Sequence, residues 1–201
     1  MNETSIAYCA GLFDGEGCIL LSKHYTYANH KETAYGRQPN YRYRMDIRLN
    51  QTRPESVIYL QETLGGTVYF LRRSHGPNKE KIYAGRWCWE MADTIAAHAL
   101  EQLLPFLRIK KDEAELALQF QASKFPALQR RGERGRKLGR TPEEVAYHQW
   151  CFEEMKRLKQ VHNDPAMQEH YILLKDSFRR QLLLPGICDL ISSVATRTQR
   201  A

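Results

Sequence analysis

The sequence has no apolar run approaching the length of a membrane span and no basic N-terminal segment leading into an apolar stretch, which predicts a soluble, intracellular protein without a membrane partner. Its five cysteines, Cys9, Cys18, Cys88, Cys151 and Cys188, are odd in number and form no C-x-x-C pair or Cys/His spacing, so a disulfide scaffold and a cysteine-based zinc site are both excluded. Internal repeats are absent, and the acidic, glycine-punctuated stretch near the N-terminus occurs in one copy only. Acidic residues are in the minority: 23 Asp and Glu face 30 Lys and Arg, for a net charge of +7. That balance suits a polyanion such as nucleic acid, although a merely basic soluble protein would share it. With 201 residues the chain can bury the core of one ordinary domain and carry a helical extension.

What is present starts with Ala7-Tyr8-Cys9-Ala10-Gly11-Leu12-Phe13-Asp14-Gly15-Glu16-Gly17-Cys18-Ile19, a small-residue helix expected to run into an acidic turn and then a strand. Helix C-termini carry partial negative charge, so Asp14 and Glu16 are unfavourable there unless a cation is held among them. A divalent metal with hard oxygen ligands would serve. Ala7 and Gly11, four residues apart, leave one helix face bare, so another backbone can approach closely.

Further along, a strand from Cys18 to about Tyr25 and a polar loop over 26–40 precede the clearest strand of the chain, 41–49. There Tyr41, Tyr43, Met45, Ile47 and Leu49 alternate with Arg42, Arg44, Asp46 and Arg48, a period of two that separates a core face from a charged one. Arginines on one sheet face suit phosphates and guanine edges; a solvated outer face is the plainer alternative. A helix starting at Pro54 ends at Gly65-Gly66. Two more strands follow, 67–73 and about 81–90, the second placing Tyr83, Trp87 and Trp89 toward the core and Arg86 and Cys88 outward. A helix over 91–104, with Ile95, Ala96, Ala99, Leu100 and Leu103 in register, stops at Pro105. The order is αββαββα, an α+β fold with a four-stranded antiparallel sheet. The core domain is expected over 1–125, a basic loop over 126–140, and a C-terminal helical extension packing on the core over 141–201, opened by the capping box Thr141-Pro142-Glu143-Glu144.

The stretch Cys9-Ala10-Gly11-Leu12-Phe13-Asp14-Gly15-Glu16-Gly17 resembles the signature of the LAGLIDADG homing endonucleases, with Cys9 at the first Leu position and Glu16 at the last acid. The segment Leu104-Pro105-Phe106-Leu107-Arg108-Ile109-Lys110-Lys111 is similar to the one carrying the family's active-site lysine, and the intervening order matches that family's DNA-binding saddle. The resemblance implies a site-specific double-strand DNA endonuclease, dependent on Mg2+ or another divalent cation. It implies Glu16, Gln51 and Lys110 as catalytic residues, and Glu16, the Gly15 carbonyl and Asp14 around the metal. Because the signature occurs once, a paired site requires a homodimer, meeting through Ala7, Tyr8 and Gly11 and acting on a long, near-palindromic target.

For DNA contact the expected residues are Ser22 and His24 on the first strand, Arg42, Arg44, Asp46 and Arg48 on the second, and Arg72, Arg86 and Cys88 on the last two. A one-residue slip of the third strand would exchange Arg72 for Arg73. The resemblance also implies an intron or intein origin. Two rivals use the same fold: a maturase that binds intron RNA, and a DNA-binding regulator that does not cut.

Overall fold

The structure is a computed structural model describing residues 2–26, 40–72, 74–75, 82–129 and 141–163. The chain divides into two units, Met1–Gln121 and Ala122–Ala201. The first unit runs α1 (Glu3–Glu16), β1 (Gly17–Thr26), β2 (Asn40–Gln51), α2 (Glu55–Leu64), β3 (Thr67–Leu71), β4 (Ser74–His75), β5 (Ile82–Tyr83), β6 (Arg86–Ala92) and α3 (Asp93–Leu103). Helix α4 (Lys111–Gln129) follows, and α5 (Pro142–Asn163) lies in the second unit. Strands pair antiparallel in the order β1-β2-β6-β3, with β4 and β5 forming a separate two-stranded pair. The expected α+β order holds, the third and fourth strands each being divided into a long and a short piece.

Alternation in β2 sets the sheet's two faces. Tyr43, Met45, Ile47 and Leu49 are buried, and Ile47 and Leu49 stand opposite Met91 and Trp89 of β6. Helices α1, α2 and α3 contribute Cys9, Ala10, Phe13, Val57, Leu60, Ala96, Leu100 and Leu103 to the buried core, and Phe13 meets Trp89 edge-on at 6.2 Å. The Trp89 indole N–H donates to the Gly65 carbonyl at 2.8 Å. Gly65 and Gly66, at φ 82° and 94°, occupy a backbone region that a side chain would strain. A Cβ on Gly66 would also come within 2.8 Å of Met91.

Three local expectations are corrected. The acidic turn after α1 is absent: the helix continues through Asp14, Gly15 and Glu16, and β1 starts at Gly17, whose N–H closes on the Phe13 carbonyl. Gly17 is needed there, since a Cβ would fall 2.3 Å from the Phe13 ring. Second, α3 begins at Asp93, because Met91 and Ala92 pair with Ile47 and Asp46 and so belong to the sheet. The β6 ladder ends opposite Asp46, and the Asp93 carboxylate, at φ 48°, accepts the Met45 N–H at 3.4 Å. This start leaves Ile95 63% exposed and buries Ala97 in its place. Third, of the aromatics assigned to the core on β6, Trp89 is buried, whereas Trp87 is half-buried beside the exposed Phe70, at 5.2 Å. The side chain of Tyr83 lies outside the described residues, as do most of the 26–40 loop and Arg73.

In the second unit, Thr141 and Glu144 form the expected reciprocal cap, with the Thr141 N–H donating to Glu144 at 2.9 Å and the Glu144 N–H to Thr141 Oγ1 at 3.3 Å. Cys151, Met155 and Leu158 are buried at helical spacing, with Tyr147 half-buried. Burial pushes the Cys151 thiol up to about 12 and the Tyr147 phenol well above its usual value. Residues 130–140 and 164–201, which include most of the expected basic loop and much of the expected helical extension, lie outside the described residues. Residues 126–129, expected in that loop, are the end of α4.

Candidate active site and nucleic-acid face

The end of α1 brings the signature and lysine segments together. Asp14 is 7% exposed, and its carboxylate accepts the N–H of Arg108 at 2.7 Å, Ile109 at 3.2 Å and Lys110 at 3.0 Å. Those are the residues leading into α4, so a side chain distant in sequence takes up donors that an N-terminal helix approach would otherwise leave without partners. In return the Lys110 ammonium donates to the Asp14 backbone carbonyl. The last turn of α1 carries no basic residue of its own, so Lys110 supplies the cation that a helix C-terminus favours. The charge problem posed by Asp14 is therefore met within the chain. Its carboxylate holds the 108–110 segment in place.

Glu16 differs. It is exposed at the last position of α1 and has no hydrogen bond or ion pair among the described residues. Gly15 beside it is exposed, and a Cβ there would meet nothing within 4 Å. Gln51 ends β2, two residues beyond Leu49, which pairs with Gly17. It therefore lies at the same end of the sheet as the α1–β1 junction. Among the described residues no cluster of three or more His, Cys, Asp and Glu side chains could hold a metal ion. One chain thus presents an exposed carboxylate at the negative end of α1.

On α1, Ala7 is half-buried, Tyr8 is exposed and touches Tyr59 edge-on at 5.3 Å, and Gly11 is exposed with nothing within 4 Å of a Cβ. Ala7 and Gly11 leave the helix surface bare beside the exposed Tyr8 ring.

The second feature is the sheet face opposite the helices. Register places Ser22 opposite Arg44, His24 opposite Arg42, Cys18 opposite Arg48, and Cys88 opposite both Asn50 and Tyr69. Ser22, His24, Arg42, Arg44, Asp46, Arg48, Arg86 and Cys88 therefore share one face, as the alternation implies. Arg72 does not join them, because Thr67, Tyr69 and Leu71 are the β3 residues on that face and Arg72 follows the strand's end. Cys88 is 1% exposed and Asp46 3%, so both lie beneath their neighbours and out of reach of a surface ligand.

The arginines on this face are tied to carboxylates. Arg44 Nε lies 2.8 Å from Asp46 Oδ1, a close ion pair without a well-aligned hydrogen bond. Arg48 donates to Glu90 at 3.1 Å, Arg44 approaches the same Glu90 oxygen at 3.7 Å, and the Tyr69 hydroxyl donates to the other at 2.6 Å. Burial raises the Asp46 carboxyl above its usual range; Arg44 and Arg48 oppose that shift, while Glu90 and Asp93 add to it. Hydrogen bonding to Cys88 and then to Glu90 raises the Tyr69 phenol. Ser22 Oγ lies 3.3 Å from the Arg44 carbonyl and 3.5 Å from Asp46, with His24 Nε2 3.0 Å away. The sequence reading missed Glu90 and Tyr69. The signal for Glu90 was its position two residues after Cys88 on the same strand.

No protein-family model and no curated protein matches this chain. Solved structures do match. The chain is similar to homing endonucleases. They include I-CvuI in complex with its target, at 19% identity and a TM-score of 0.45 over 77% of this chain and 96% of the other. They also include I-TnaI, at 16% and 0.47 over 79% and 95%, and the archaeal intron-encoded I-Vdi141I complexed with DNA, at 12% and 0.45 over 74% and 96%. No helix among the described residues is long and apolar enough to cross a membrane.

Proposed function

We propose that this chain is a metal-dependent, site-specific DNA endonuclease of the LAGLIDADG type, acting as a homodimer on a near-palindromic duplex. The observation that carries the reading is the joining of the α1 end to the Lys110 segment through Asp14, beside an exposed Glu16 and next to an arginine-bearing sheet face.

Glu16 and the Gly15 carbonyl would hold a divalent cation, together with the same groups of a second copy docked along Ala7, Tyr8 and Gly11. Bound there, the metal would polarise the scissile phosphate and activate water. Lys110, fixed through the Asp14 carbonyl, would bring positive charge beside a phosphate as negative charge builds on it. Gln51 offers an amide that can accept from and donate to an attacking water at the same sheet end. Asp14 is a positioning residue: by accepting three N–H groups it sets where Lys110 begins its side chain. Arg42, exposed and opposite the exposed His24, and Arg86, exposed on β6, are the cations of the sheet face most open to phosphate.

The test uses purified protein and duplex carrying a site selected from a random pool. The wild type should cut both strands in Mg2+ and bind without cutting in EDTA. Glu16→Gln should lower the cutting rate by at least about a hundredfold with affinity within about twofold. Binding without cutting in any divalent metal would overturn the enzymatic reading. A monomer bound singly to each site, read by sedimentation, would overturn the paired site.

A further inference from the structure

Arg44, Arg48 and Glu90 make an unusual surface for a protein that binds a polyanion. A face meant only to attract phosphate gains from free, mobile cations and loses from carboxylates set among them. Here Glu90 takes a hydrogen bond from Arg48, an ion pair from Arg44 and a short hydrogen bond from Tyr69, and Asp46 pairs with Arg44 from the other side. The guanidinium groups remain accessible, at 42% and 39% side-chain exposure, so they are restrained without being covered.

Restraint of this kind has a use when an arginine must present its planar fork in one orientation. Guanine offers two acceptors, O6 and N7, on its major-groove edge, and a bidentate contact requires both N–H vectors to be aligned at once. Fixing the fork beforehand lowers the entropy lost on binding, and it also keeps the arginine from settling on whichever phosphate is nearest.

We infer that Glu90, steadied by Tyr69, is a specificity-determining positioning residue that holds Arg48, and with it Arg44, to read guanine in a major groove. The inference rests on the DNA-binding part of the function proposed above. Glu90 itself need not touch a base. Its charge restrains the arginines, and the Tyr69 hydroxyl restrains Glu90. The arrangement spans three neighbouring strands, since Arg48 pairs with Glu90 in the β2–β6 ladder and Thr67 pairs with Glu90 in the β3–β6 ladder.

The full-length protein, with calcium in place of magnesium, is used to select binders from a pool of randomised duplexes, in parallel with Glu90→Gln and Tyr69→Phe. The wild type should enrich a motif containing guanine positions. Glu90→Gln should lose at least about fivefold of the preference at one or two of those guanines, with preferences elsewhere kept. Affinity of the same variant for unselected duplex should be unchanged or higher, and its log–log salt slope steeper by about one to two, as released arginines move to phosphates. Tyr69→Phe leaves every charge in place and should show the same loss at the same positions to a smaller degree, which tests the inference even where Glu90→Gln does not fold. Retention of the full motif by a folded variant would overturn the inference while leaving sequence-specific binding intact, and so would uniform loss at every position. Enrichment of nothing by the wild type would overturn the DNA-binding reading and this inference with it.

Discussion

On the helix side of the sheet, Tyr43, Met45, Ile47, Leu49 and Trp89 are each no more than 2% exposed and are held by packing. On the other side Arg44 and Arg48 stay open to solvent and are held by carboxylates, one of which, Asp46, is itself buried. Adjacent residues of one strand thus answer to different forces. Apolar contact is non-directional and cannot be given up without a cavity, whereas an ion pair at a surface contributes little to stability and can be exchanged for another partner. The helix face therefore carries the fold, and the arginine face can take up a ligand at little cost to stability.

The difference is broken first by truncation on each side. Trp89→Ala should cost about 3 to 5 kcal/mol in urea denaturation, from lost packing and a Gly65 carbonyl left without its indole donor. Arg48→Ala should cost under about 1 kcal/mol in the same assay while weakening duplex binding. Equal destabilisation by the two would end the distinction.

Asp14 lies between these extremes, being polar yet buried. Asp14→Asn should cost about 1.5 to 3 kcal/mol, because an amide cannot accept the three backbone N–H groups with both of its polar atoms. It should also slow cutting more than it weakens binding, which a purely structural lesion would not do. The glycines of α1 and its cap sharpen the picture further. Gly17→Ala, driven into Phe13, should cost about 1 to 3 kcal/mol. Gly11→Ala, which meets open space in one chain, should gain about 0.5 to 1 kcal/mol in helix propensity. If Gly11 lies at a close helix crossing, that same change should weaken self-association in sedimentation.

The smallest effect is one of pH. Burial raises the folded Asp46 carboxyl above its ordinary 3.8, so the folded state favours its protonated form. Stability from this group is complete below that ordinary value and is lost as pH rises through the raised one. Asp46→Asn removes this contribution, so the Tm of the variant relative to the wild type should rise as pH increases just above the ordinary Asp range, in melts from about pH 3 to about pH 7.

Alternation makes the two sheet faces legible in the sequence, because a side-chain period of two admits only one assignment once Tyr43, Met45, Ile47 and Leu49 are taken as the core face. The Thr141 cap was equally local and equally readable. Boundaries were less so: Met91 and Ala92 have helix-compatible side chains, and only their pairing with Ile47 and Asp46 keeps them in the sheet. On β3, hydrophobicity does not tell one register from the next, and only the pairing of Leu71 with Arg86 fixes the parity that takes Arg72 off the arginine face.

The chain's own order of residues determined the element types, the acidic end of α1 and the concentration of arginine on one strand face, since each follows from near-neighbour spacing. Only the tertiary structure decided that Asp14 is spent on the backbone of 108–110 while Glu16 stands exposed, and that Glu90 and Tyr69 restrain the arginines. Those pairings join residues tens of positions apart, and the free energy of a hydrogen bond or ion pair depends on a separation in space that spacing along the chain does not specify.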